Sequence, residues 1–118
     1  MRLALLLLLA TVAPLGAQDG RVHVLLVTGL GGEPAEGRAF VEAATQIHET
    51  ARARWGVADS SLIFLAERPA DDSARISGRS TREEIGAAVM RLSRRVSPGD
   101  VLLVVVIGHG SGEGRSPE

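Results

Sequence analysis

The sequence predicts an α/β domain in which three strands alternate with two helices, building a parallel sheet in a three-layer αβα sandwich. Three observations carry this reading. Short apolar runs recur at 22–28, 62–65 and 101–107, helix-spaced apolar residues fill both intervals, and Gly and Pro residues mark the junctions.

The chain opens with Met1-Arg2, an apolar run from Leu3 to Val12, and then Pro14, Gly16 and Ala17. That order is expected of a secretory signal peptide over residues 1–17, cleaved after a small residue. The apolar run is shorter than the roughly 20 residues a transmembrane helix needs. Leu15 is a mediocre residue two places before the cut, and cleavage one residue either side of Ala17 serves equally well. The expected location is secreted or periplasmic, with no stable membrane insertion after cleavage, and the domain proper occupies residues 18–118.

Val22 to Thr28 is continuously apolar except for His23, and lies between Asp19-Gly20 and Gly29-Leu30-Gly31-Gly32. It reads as a buried first strand. From about Pro34 to Arg54, Phe40, Ala44, Ile47 and Ala51 recur at helical spacing and predict a core-facing stripe; Gly37 weakens the first turn and moves the expected start toward Arg38. Leu62 to Leu65 is the second strand. Glu67 to Gly78, with Pro69, Asp71 and Asp72, reads as an exposed loop. Thr81 and Glu84 form a capping box that opens a second helix, with Ile85, Val89, Leu92 and Val96 on its apolar face. Arg91, Arg94 and Arg95 sit in or near its last turns, where the helix dipole favours positive charge. Pro98-Gly99 ends it. The uninterrupted, mostly β-branched run from Val101 to Ile107 is the strongest strand and is expected to be central, covered on both faces.

Composition excludes several chemistries. All 13 basic residues are arginine, against 14 acidic ones, so no nucleic-acid footprint is expected and no lysine is present for a Schiff base or phosphate loop. With no cysteine there is no disulfide, no thiolate zinc site and no lipid attachment point. His23, His48 and His109 are too far apart in sequence to suggest a metal cluster, and no cofactor is expected.

The candidate site is His109, delivered between Gly108 and Gly110 just past the strongest strand. Ligands of open parallel sheets gather beyond the carboxyl ends of the strands. An imidazole there can serve as a base, and Gly110 can offer an unobstructed N–H to an oxyanion. The plainer reading is a surface histidine in a glycine turn. Gly29-Leu30-Gly31-Gly32 stands where a phosphate loop would, without the dinucleotide or P-loop spacing, and reads as a turn that lines the cleft. Asp71 and Asp72 are loop carboxylates, His48 a helix-flank residue, His23 structural, and Trp55 packing where the first helix ends.

The run from Ser80 to Ser111 carries a resemblance. Thr81-Arg82-Glu83-Glu84-Ile85, then Pro98-Gly99-Asp100, then the apolar strand entering Gly108-His109-Gly110, is similar to the histidine-bearing half of caspase-fold cysteine peptidases of the legumain, gingipain, metacaspase and caspase superfamily. The resemblance implies His109 as the catalytic histidine, proton donor to the leaving amine, with Gly110 contributing an oxyanion-hole N–H and a polypeptide as substrate of the complete protein. It also implies a sheet in which the first strand lies between the second and the third, and a nucleophilic cysteine after a further strand. The 118 residues hold no cysteine, so truncation after the third strand is expected and the chain itself is expected to be inactive. The alternatives are a non-catalytic secreted α/β binding domain and part of a serine esterase, whose oxyanion loop His109-Gly110-Ser111-Gly112 loosely resembles. The esterase nucleophile elbow is absent.

Overall fold

The computed structural model describes residues 20–110. The expected signal peptide and the segment from Ser111 onward lie outside them. Within them the chain forms β1 (Val22–Thr28), α1 (Pro34–Ala53), β2 (Leu62–Ala66), β3 (Gly78–Arg79), α2 (Arg82–Ser93) and β4 (Val101–Ile107). The sheet is four-stranded and parallel throughout, in the order β3-β2-β1-β4. No described helix is long and apolar enough to cross a membrane.

Alternation along β1 and β2 divides the core between two faces, as the period of a strand requires. Val24, Leu26, Leu62 and Phe64 point toward α1, where Ala44 and Ala51 complete a buried cluster. Leu25, Val27, Ile63 and Leu65 point to the opposite face and meet Ala88 and Leu92 of α2. One helix thus covers each face of the sheet, which makes three layers. The first strand lies between the second and the strongest strand, as the sequence reading expects.

Several expectations are corrected. β4 is an edge strand, not a central one. Val101, Leu102, Val104 and Val106 are 41–71% exposed, and only Leu103, Val105 and Ile107 pack partly against the α1 side of the core. The register explains the asymmetry. Leu102, Val104 and Val106 pair with His23, Leu25 and Val27, which places them on the α2 face. The buried contacts of α2 go to β1 and β2, so among the described residues nothing covers that face of β4.

For the same reason Val89, expected in the core, is exposed, and Ala88 takes the buried position. α2 ends at Ser93, before Val96. Helix α1 begins at Pro34 and not at Arg38. Proline suits the first helical position because its missing N–H is one the helix cannot use. The close approach of the loop after β1 to α1 requires glycine at Gly31, where a Cβ would lie 2.4 Å from the Gly37 nitrogen, and not at Gly37, where a Cβ would meet nothing nearer than 3.9 Å. The stretch from Glu67 to Gly78 is not a plain loop. It holds a single 3-10 turn at Pro69–Asp72 and, at its end, the short strand β3, which periodicity cannot detect at two residues. Trp55 is 44% exposed and does not close off the end of α1.

Candidate functional site

Three chain segments meet beyond the carboxyl ends of β1 and β4. The strands leave the sheet side by side, joined by the Gly29 N–H donating to the Ile107 carbonyl at 2.8 Å. Gly29 and Gly108 then run side by side, close enough that a Cβ on either would be in ordinary contact with the other's backbone. This places His109 over the loop 29–32 and the first turn of α1.

His109 Nε2 lies 2.9 Å from Glu36 Oε2 and 3.2 Å from the Gly31 carbonyl oxygen. Both partners are acceptors, so Nε2 carries the proton and Nδ1 is the atom available to a ligand. The ring also stands edge-on to Phe40, with centroids 5.1 Å apart. The Glu36 carboxylate, and next the Gly31 carbonyl, raise the His109 pKa above its ordinary value of 6.5. The Gly31 loop is fixed from its other side by its own N–H, which donates to Glu67 Oε2 at 3.2 Å. His109 and Glu36 are both about half exposed, so the pair is open to solvent and to ligands.

The sequence reading named His109 and Gly110 but missed Glu36 and Glu67. Glu36 lies in the first turn of α1, and only the approach of β4 to that turn makes it a partner of the histidine. Gly110 is exposed, and a Cβ there would meet nothing within 4 Å. A cleft of about 320 Å³ opens beside this site between Leu30, Glu67, Arg68, Arg79, Ser80 and Thr81. Its two arginines and its hydroxyls suit an acidic or carbonyl-bearing group.

The other sequence candidates lie elsewhere. His23 is buried at the amino end of the sheet and donates from Nε2 to Asp100 Oδ2 at 2.9 Å. Asp100 also accepts from the backbone N–H groups of Ser97 at 2.9 Å and Arg21 at 2.8 Å. These bonds, that of Ser97 first, hold its pKa down at about 2. This is a structural clamp tying the start of β4 to the start of β1. His48 is buried against Phe64, not placed on the helix flank, and burial lowers its pKa. Asp71 and Asp72 do not act as a pair; each bonds a different arginine, Arg68 and Arg75. Among the described residues no group of three or more histidines and carboxylates is arranged to hold a metal ion.

No family model, curated protein or solved structure matches this chain. The cysteine-type peptidase assignment that accompanied the resemblance is overturned for this chain, because none of its 118 residues is a cysteine. His109 has no thiol in the chain to act on.

Proposed function

We propose that this chain is a non-catalytic, exported α/β binding domain that takes a polypeptide segment along β4. The observation that carries this reading is the uncovered strand. From Val101 to Ile107 there is no charge, proline or bulge, the devices by which soluble proteins protect an edge. The Val101 N–H and the Ile107 carbonyl bond toward β1. By strand alternation, the backbone groups of Leu102, Val104 and Val106 therefore point to the free edge, where an added strand would bond to them. At the carboxyl end of that strand, His109 presents Nδ1 to the ligand, as an acceptor when the ring is neutral and, in the protonated form that Glu36 favours, as a donor to a carbonyl or carboxylate of the bound segment. The apolar run Leu3 to Val12 supports export.

A labelled peptide of alternating valine and threonine tests the reading by fluorescence anisotropy. Saturable binding, weakened at least tenfold (about 1.4 kcal/mol) by Val106→Lys, is the expected result. Val106 is 71% exposed, so the lysine disturbs the ligand surface and not the core. No binding, or binding indifferent to the substitution, ends the proposal.

A second reading is favoured by the strand order and by the seating of His109 over the Gly31 carbonyl: the chain is the histidine-bearing portion of a caspase-like hydrolase site. In that case the nucleophile comes from polypeptide outside these 118 residues, and the purified chain alone leaves peptide substrates intact.

A further inference from the structure

At the amino end of the sheet, opposite His109, a cavity of about 450 Å³ is lined by Arg21 and Val22 at the start of β1, Trp55 and Gly56 after α1, Ser61 before β2 and Arg95 after α2. It is larger than the cleft beside His109, and its lining holds two guanidinium groups and no carboxylate. A volume of this order suits a small molecule.

Among the described residues, neither arginine is spent on an ion pair. The carboxylates on the same segments are engaged elsewhere: Asp59 pairs with Arg52 at 3.3 Å, and Asp100 is filled by His23 and two backbone N–H groups. The backbone of Arg21 is fixed on both sides, its N–H donating to Asp100 and its carbonyl accepting from the Val101 N–H. Its exposed side chain bonds to no described residue. Arg95 is oriented by hydroxyls: Nε donates to Ser61 Oγ at 3.3 Å and Nη2 donates to Ser60 Oγ at 2.7 Å. Ser61 is buried, which fixes that anchor. Both acceptors are neutral, and both lie along one edge of the guanidinium fork. The end-on edge, with one N–H from each terminal nitrogen, keeps no partner among the described residues, and its geometry matches a carboxylate or a phosphate. The helix dipole accounts for basic residues in a last helical turn, but not for these two. Arg21 is on no helix, and Arg95 lies past Ser93 with its side chain bonded to the serines. Trp55 adds an apolar plane to the same lining, an indole left 44% exposed where a flat ring can stack.

We propose that this cavity binds a small organic anion, a carboxylate or phosphate carried on a flat ring. Arg21 and Arg95 hold the charge, and the indole of Trp55 covers the ring. The site depends neither on the edge of β4 nor on His109.

Trp55 is the single tryptophan of the chain, so its fluorescence reads the site directly. The purified protein is titrated with adenosine monophosphate, with benzoate and, as the uncharged control, with adenosine. The expected result is saturable quenching by at least one of the two anions with a Kd below about 1 mM, weakened at least tenfold in Arg21→Gln and in Arg95→Gln. Quenching by the nucleotide alone assigns the phosphate, and by benzoate alone the carboxylate. Arg95→Gln gives up two serine bonds, whereas the Arg21 side chain bonds to no described residue. Arg21→Gln therefore keeps the circular dichroism spectrum and separates lost binding from lost fold. Failure of both anions to saturate overturns the proposal. So does adenosine binding as tightly as its monophosphate, or an affinity indifferent to both substitutions.

Discussion

His109 and His23 show how place decides the role of one side chain. Each donates from Nε2 to a carboxylate at 2.9 Å, one at each end of the sheet. At the buried end the carboxylate of Asp100 is saturated by two further backbone donors, and the pair is a fastening. At the open end the His109–Glu36 pair faces solvent and can meet a ligand. Glu36→Gln is expected to bring the His109 pKa back down toward 6.5, read by titrating the ring protons by NMR. Because that pKa is raised in the folded state, its contribution to stability is complete below about 6.5 and fades as pH rises through the folded value. Asp100 acts with the opposite sign. Its pKa lies at about 2, below the ordinary 3.8, so its contribution is complete above the ordinary value and lost as pH falls toward 2. Asp100→Asn should therefore lower the melting temperature at neutral pH and flatten its fall between pH 4 and pH 2, measured by thermal unfolding across that range.

At the scale of elements, the start of α2 is only partly the reciprocal cap its sequence predicts. Thr81 accepts from the Glu84 N–H at 3.2 Å, but the Glu84 carboxylate turns away to the Arg79 N–H at 2.6 Å. Glu84 thereby joins the helix to β3. Thr81→Ala should cost about 1 kcal/mol in denaturant unfolding. Helix α1 shows what periodicity misses. Ala44, His48 and Ala51 are its buried residues, while Phe40 and Ile47 are only half-buried. A histidine in an apolar stripe does not register in a hydrophobic count, yet its ring packs against Phe64 with centroids 6.3 Å apart. Phe64 itself is fully buried in the centre of the α1-side cluster. Phe64→Ala is expected to destabilise by about 3–5 kcal/mol, a large share of the stability of a domain this size, and should leave little cooperative unfolding transition by circular dichroism.

For the whole molecule, the two helices cover both faces of β1 and β2, while β4 is packed only on its α1 side. This imbalance produces the exposed β4 and, with it, the proposed binding edge. The local sequence determined much of the architecture: the α/β alternation, the bounds of β1 and β4 to the residue, the Thr81 cap, and the placement of His109 beyond a strand end. Each of those follows from patterns within a few residues, where apolar runs, glycine and proline act directly on the backbone. Only the tertiary structure decided that the α2 face of the most apolar strand is left uncovered, that Val89 faces solvent, that His48 is buried, and that Glu36 and Gly31 receive the His109 proton. Those outcomes depend on which elements lie beside one another, and groups 73 and 78 residues apart carry no mark of it in their local sequence. An apolar strand reads the same whether its far side is filled or open, because hydrophobicity records what a residue would bury and the packing of the chain settles what covers it.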